Sequence, residues 1–262
     1  LLVEYGQTRL LFDTGPDATV VANARALGVE LSPLTAIVLS HGHYDHTGGL
    51  AAVLAEVGPT RVVAHPGVFD QTYAQNGREG MRYIGAPLSR DEYEARGACF
   101  ELSESPVRLG EGLVTTGEVS QEPAAGPVDS WLLRQRPAGV LPDDFRDDVS
   151  LVALLPTCCM VVTGCGHAGL LNILRQTEMV APGRRPRLVL GGLHLGATSD
   201  DAVAALATAA YRRGVRTLLP CHCTGERATE VLRARFPGVV TPIGTGTEIC
   251  VHQDGSATIG GP

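Results

Sequence analysis

Six consecutive residues, His41-Gly42-His43-Tyr44-Asp45-His46, carry four side chains able to bind a transition metal. Imidazole and carboxylate together form the ligand set of zinc, iron or manganese. His41 and His43 are two apart, so an extended backbone sends both to the same side. Asp45 and His46 fall at the entry to a helix expected over residues 48–57, whose dipole favours a carboxylate there. Four such groups within six residues can be shared between two ions, and a polar loop that is rich in histidine by chance accounts for them poorly.

Seven of the eight histidines directly follow an apolar, strand-like run. His41, His43 and His46 follow TAIVLS, and His65 follows RVVA. His167 follows CMVVTGCG, His194 follows RLVLGGL and His222 follows RTLLPC; only His252 lies inside a run. In open α/β sheets, ligands gather beyond the carboxyl ends of strands. One convergent metal site explains most of these positions, whereas a single histidine at a strand end would be read as structural or solvated. His65, followed by Pro66, is read as structural. Cys221 and Cys223 flank His222, but no second cysteine pair stands at zinc-finger spacing, which excludes a finger.

The elements that would hold these residues alternate between strands and helices. A hairpin is expected around Gly6-Gln7, a helix over residues 17–27 and a buried strand over 35–40. The helix over 48–57 carries Leu50, Val53, Leu54 and Val57 at i, i+3, i+4 and i+7. The second half repeats the theme. Strands are expected at 151–155, 158–163, 188–190 and 217–219, and helices at 170–180, from Ser199 to Gly214, and from Thr224 to Pro237. Two closing strands are expected between residues 248 and 259.

Residues 65–130 differ. They are rich in glycine, proline and charge, yet hold Phe69, Tyr73, Tyr83, Tyr93 and Phe100. They read as an inserted region within one domain spanning 1–262, either a surface insertion with its own small core or a lid whose aromatics meet a substrate.

The bulk properties narrow the class. With 262 residues, 44% hydrophobic and 19% charged, the chain can bury a core and is not a disordered polymer. Apolar runs such as 149–156 are too short to span a bilayer, and no basic-then-apolar leader opens the chain. The chain starts on Leu1, so its natural N-terminus is expected upstream. A net charge of −7 argues against a nucleic-acid partner, which would need a basic face. Seven cysteines, with Cys158-Cys159 and Cys221-x-Cys223 too close for ordinary disulfides, favour a reducing, cytoplasmic setting.

The motifs also resemble those of a known family. HGHYDH after an apolar strand looks like the H-x-H-x-D-H signature of the metallo-β-lactamase superfamily. Asp13 in LFDTG, Thr163-Gly164 after a strand, and His222 in LLPCH resemble its other motifs. FDTG, VLSHGHYDHTGGL, GCGHAGLLNIL, GGLHL and PCHCTGE together resemble one subgroup, the 7,8-dihydropterin-6-ylmethyl-4-(β-D-ribofuranosyl)aminobenzene-5′-phosphate synthase-like proteins. The resemblance covers nearly the whole chain. It implies an α/β fold, a four-layer αββα sandwich with an insertion after the first metal motif, and two divalent transition-metal ions between its sheets.

By the same resemblance His41 and His43 would hold the first metal, Asp45, His46 and His222 the second, and Asp13 would orient ligands from behind. Two departures stand out. The superfamily usually has a third-motif His before the strand pair, and none lies between His65 and His167. Its bridging Asp after Thr-Gly is here Cys165. His167 is assigned the vacant role, with Asp148 and Cys165 as alternatives. Asp45 and His194 are the expected catalytic residues, and His194, Gly169 and Thr224 the expected substrate contacts, the last two because helix starts bind anions.

The implied activity is hydrolysis of a small phosphate-bearing molecule by a water that two metals acidify. The rival enzyme is a transferase that joins a hydroxymethyl-dihydropterin diphosphate to an aminobenzene ribosyl phosphate and releases diphosphate. A non-catalytic metal or redox sensor is the third reading. An oxygen-reducing diiron protein is disfavoured because that branch usually carries Glu at the position of His43. RNA processing is disfavoured by the acidic charge.

Overall fold

The computed structural model describes residues 1–75, 77, 80–121 and 129–261. Two mixed sheets face each other. The first is built from β1 (Leu2–Tyr5), β2 (Thr8–Phe12), β3 (Ala36–Val38), β4 (Thr60–Ala64) and β7 (Ala98–Leu102), in the order β1-β2-β3-β4-β7. After the β1–β2 hairpin its pairings are parallel, so β2, β3 and β4 deliver Asp13, His41 and His65 to one edge.

The second sheet runs β16-β15-β14-β13-β12-β9-β8. Its members are β8 (Arg108–Gly110), β9 (Leu113–Thr115), β12 (Leu151–Leu154), β13 (Cys158–Thr163), β14 (Arg185–Gly191), β15 (Thr217–Pro220) and β16 (Val239–Val240). β13 through β16 are parallel, as βαβ crossovers require. Every residue of β13 is buried, because a central parallel strand is covered on both faces. Its sequence, CCMVVT, is accordingly a continuous apolar run rather than an alternating one.

Helices cover both outer faces. α1 (Thr19–Ala26), α3 (Leu50–Val57) and α4 (Arg90–Glu94) pack on the first sheet, around Ile37, Leu39, Leu50, Leu54, Val62 and Tyr93. α5 (Leu170–Val180), α6 (Asp200–Arg212) and α7 (Glu226–Arg235) cover the second, around Val161, Ile173, Val189, Val203, Leu218 and Leu232. Between the sheets lie Leu10, Phe12, Val38, Val63, Leu151, Val162, Leu190 and Leu219. Each such side chain contributes roughly 1.5–3 kcal/mol on burial. The closing hairpin, β17 (Glu248–Val251) and β18 (Ala257–Gly260), lays Ile249 and Val251 against this inter-sheet core. The result is the four-layer αββα sandwich.

Two expectations need correction. Residues 65–130 are not one insertion: β7 is an edge strand of the first sheet, and β8 and β9 belong to the second. The added sheet is β11-β10-β5-β6, in which the hairpin of β5 (Thr72–Gln75) and β6 (Met81–Tyr83) joins that of β10 (Leu132–Arg136) and β11 (Gly139–Pro142) through β5 and β10. It therefore runs past Ser130. The signal is weak because β6, β8 and β9 are three residues each, too short to show alternation. Positions 76, 78, 79 and 122–128 of that segment lie outside the described residues.

The helix over 48–57 also starts two residues later than expected. A turn of its own, α2 (Tyr44–Thr47), carries Asp45 and His46, and α3 begins only at Leu50. Gly48 and Gly49 lie between them, where the backbone passes so close to the carbonyls of Pro16 and Thr14 that a Cβ would collide.

Candidate metal centre

The carboxyl ends of strands from both sheets meet at one seam. β3 ends in Ser40 and His41, β13 in Gly164, Cys165 and His167, β14 in Leu193 and His194, and β15 in Cys221, His222 and Cys223. His41 Nε2 lies 3.0 Å from His43 Nδ1, and the His167 ring sits 4.9 Å from that of His41 and 5.0 Å from that of His43. His46 Nε2 lies 3.2 Å from His222 Nε2 and 3.6 Å from Asp45 Oδ2. Thus two triads form side by side, His41-His43-His167 and Asp45-His46-His222, each with ligand atoms within 4.8 Å of one another.

His167 supplies a test of whether these residues suit a metal. It is only 4% exposed, yet both of its ring nitrogens are buried without a hydrogen-bond partner. Orphaned buried polar atoms are costly, and a metal ion held with His41 and His43 would satisfy one of them. Phe145 stacks on the other face of the ring at 4.4 Å and 4°, fixing its plane. Burial, reinforced by neighbouring imidazoles, holds His41 and His167 well below the usual histidine range and brings His43 to about 4. These rings are therefore neutral, the form in which imidazole coordinates.

Asp13 lies behind the cluster. Its Oδ2 accepts from His46 Nδ1 and from the Ser40 hydroxyl, both at 2.7 Å, and its Oδ1 accepts from Ser40 N–H at 2.7 Å. Burial disfavours charge on His46, but Asp13 outweighs it and raises the pKa. Burial also opposes ionisation of Asp45, yet the His222 hydrogen bond and the rings of His46 and His43 keep it below the ordinary carboxylate range. Asp13, His194 and His222 all adopt left-handed backbone, with φ of 59°, 48° and 52°. Such strain in non-glycine residues clusters at functional sites.

The two alternatives to His167 occupy different places. Cys165 Sγ lies 3.2 Å from His46 Nε2, near the second triad. Asp148 accepts from Ala168 N–H at 2.7 Å and keeps Oδ1 buried without a partner; burial raises its pKa to about 7. His194 turns its Nε2 to Asp129 Oδ2 at 3.0 Å, and its ring lies 4.2 Å from that of His167 at a 45° tilt. Burial would lower its pKa, but Asp129 and Cys223 raise it to about 10. Cys223 is lowered, chiefly by its interaction with the Cys165 thiol.

Not every expected residue faces the opening. Gly169 is the N-cap of α5, as expected, with φ of 86°. Thr224 is 1% exposed and its hydroxyl accepts from Leu193 N–H at 3.1 Å, so it ties two ligand-bearing turns together. The N-cap of α7 is Gly225 instead. His65 is structural: its Nδ1 accepts from Gly67 N–H at 3.0 Å and caps the 3-10 turn over Pro66–Phe69. Tyr93, Phe69 and Phe100 form an aromatic cluster on the outer face of the first sheet and cannot meet a substrate at the seam.

Sequence reading missed a group of carboxylates around Arg134. This arginine is almost fully buried, pairs with Asp143 at 2.7 Å and with Asp147, and reaches Asp70 at 3.0 Å. Asp147 in turn accepts from Gly42 N–H at 2.8 Å, which anchors the HGHYDH loop to the added sheet. Asp129 and Trp131 were also missed. Trp131 is exposed and donates its indole N–H to Asp129 at 3.2 Å, beside His194. A DD pair and a lone Trp in a polar stretch carry no spacing signal of their own.

An αββα sandwich with clustered histidines at its seam defines a class of metal-binding proteins, and the chain belongs to the metallo-beta-lactamase superfamily, whose profile matches residues 1–152. It is similar in structure to Tm1679, described as a metal-dependent hydrolase of the beta-lactamase superfamily. The two are 30% identical, with 92% of this chain and 90% of that one covered and a TM-score of 0.78. It is 26% identical to the 7,8-dihydropterin-6-methyl-4-(beta-D-ribofuranosyl)-aminobenzene-5'-phosphate synthase of Methanocaldococcus jannaschii, over 87% of this chain and 79% of that protein. Zn(2+)-bound PqqB from Methylobacterium extorquens shares the fold at 14% identity and a TM-score of 0.54, covering 93% of this chain and 84% of that one.

Proposed function

We propose that the protein is a dinuclear metal-dependent hydrolase acting on a small phosphate-bearing molecule. The observation that carries this is His167, a buried imidazole with both nitrogens unpartnered, set against His41 and His43. The first ion would be held by His41, His43 and His167, and the second by Asp45, His46 and His222. Zinc suits these ligands, and iron or manganese would be accepted. When bound, two such ions supply an acidified water and polarise a phosphoryl oxygen.

The chain's own residues do the rest. Asp13 fixes the ring of His46 through Nδ1 and leaves Nε2 to the seam. Asp129 takes Nε2 of His194 beside His167 and leaves Nδ1 of that ring for a substrate oxygen or an ion. The starts of α5 and α7 have no side-chain cap, so their N–H groups support an anionic substrate. All seven cysteines are free thiols, which supports a reducing, cytoplasmic setting. No helix among the described residues is long and apolar enough to cross a membrane.

A second reading is favoured by the Methanocaldococcus relative: a synthase that joins a pterin diphosphate to an aminobenzene ribosyl phosphate. The exposed Trp131 and the Tyr73–Tyr83 pair of the added sheet, with ring centroids 5.7 Å apart, would offer stacking faces to such planar substrates. Metal-loaded protein should be assayed against phosphomonoesters and phosphodiesters, and separately against the pterin pair with diphosphate release as the readout. Turnover of simple esters supports the hydrolase; diphosphate release only with both partners present replaces it with the synthase. Binding of no metal would overturn both.

A further inference from the structure

Three ligand-type side chains border the two triads, Cys165 touching His46 and His194 touching His167. Cys165, His194 and Cys223 come from the ends of β13, β14 and β15, and their ligand atoms lie within 4.8 Å of one another. Sulfur and imidazole ligands of a tetrahedral zinc, at ~2.3 and ~2.0–2.1 Å from the ion, sit about 3.5–3.8 Å apart. The three atoms thus need only small side-chain movements to share an ion. We propose that Cys165, Cys223 and His194 hold a thiophilic metal ion of their own, zinc or another borderline-to-soft cation, beside the histidine cluster. The inference deepens the metal-dependent reading given above and rests on it.

Four features support this. Asp129 takes His194 Nε2 at 3.0 Å, while Nδ1 is buried and without a hydrogen-bond partner, leaving that nitrogen for a ligand. A carboxylate behind a histidine is the usual outer partner of a metal-bound imidazole. His194 holds left-handed backbone, which turns its ring inward from the end of β14. Cys223 lies in the same turn as His222, with Sγ 3.6 Å from the Cys165 carbonyl oxygen. A Cβ at Gly192 would collide with Cys223 Sγ and with the Gly164 carbonyl, so glycine there leaves room for the sulfur. Two sulfurs with one imidazole form a softer set than either triad, which offers nitrogen and oxygen only.

Cobalt(II) titration of the full, reduced chain under argon tests this, because cobalt–thiolate bonds give a charge-transfer absorption that imidazole and carboxylate do not. The wild type should develop that band. It should weaken or vanish in Cys165→Ser and in Cys223→Ser, and the cobalt affinity read from it should fall ~10-fold or more in His194→Asn. Asparagine tolerates the left-handed backbone at 194. Cys250→Ser, exposed on the closing hairpin, should leave the band unchanged. Should Cys165→Ser fail to fold, as judged by circular dichroism, the partly exposed Cys223 and His194 still decide. Cobalt bound without a sulfur band overturns the inference and leaves the histidine centre standing. A band lost only in Cys165→Ser assigns that sulfur to His46 and also overturns it. No bound cobalt removes both.

Discussion

Asp13 and His46 are joined by a 2.7 Å contact between Oδ2 and Nδ1, across 33 residues of sequence, and that contact decides which nitrogen His46 presents to the seam. The same carboxylate accepts from Ser40 N–H and its hydroxyl, so it also fixes the strand end that leads into His41. Asp13→Ala should lower metal affinity by ~10–100-fold in a calorimetric titration. Asp13→Asn, which keeps the left-handed backbone but loses an acceptor, should cost less.

His167 gives a test whose sign reverses with metal. Without an ion its two nitrogens are buried and unpaired, so His167→Leu should leave the metal-free protein as stable or raise its melting temperature. With metal present the same variant should melt lower than the loaded wild type, and its metal affinity should fall by ~10-fold or more. Cys165→Ser should lose less affinity, with Asp148→Asn between the two.

The pH dependence of the metal-free protein follows from its buried rings. The pKa values of His41, His43 and His167 are depressed, so below about 6.5 the unfolded chain binds protons that the folded one refuses. Stability should fall as pH drops from 6.5 towards 4. Asp148, raised to about 7, opposes this over the same window, as one group against three. Above 6.5 the raised pKa values of His46 and of His194, the latter to about 10, reverse the slope, because the folded state then binds the extra protons; Cys223, lowered to about 4, opposes them as one group against two. Urea unfolding across pH 4–9 should show a maximum near neutrality, and metal should flatten the acidic limb.

Arg134→Ala should destabilise the protein by about 3–5 kcal/mol, because it strands Asp143 and Asp147 in the interior without their cation. Thermal unfolding reads the loss. Since Asp147 also holds Gly42 N–H, the variant should bind metal more weakly too.

Trp131 and Tyr93 separate recognition from support. Trp131→Ala should raise KM with little change in melting temperature, because the ring is exposed beside the His194–Asp129 pair. Tyr93→Ala should cost about 3–5 kcal/mol of stability, measured by denaturant unfolding, while Tyr93→Phe, which loses only the bond to the Thr47 carbonyl, should cost less.

The fold was legible wherever apolar runs were long. β13 and α5 have the bounds expected from CCMVVT and from the helical spacing after Gly169. The added sheet was not legible, because three-residue strands such as β6 carry no periodicity and β10, the partner of β5, comes far later in the sequence, Leu132 pairing with Ala74. In the centre, the HGHYDH loop and the strand-end histidines were visible because ligand types recur at short spacing. Asp129, Asp143 and Asp147 were invisible as site residues, since an acidic residue in a polar stretch looks the same whether it is solvated or buried against an arginine. Thr224 was misplaced for a related reason: a hydroxyl at a helix start reads as a cap, and only the fold shows that it serves Leu193.

The seam also sets an order of assembly. His222 is made 176 residues after His46, and the two meet only then. At translation rates of ~5–20 residues per second, that interval lasts roughly 10–35 s. For the greater part of it residues 41–46 exist without their partner His167, and until its end without His222. The nascent chain therefore carries an open, histidine-rich loop that any passing cation can find before the second sheet closes over it.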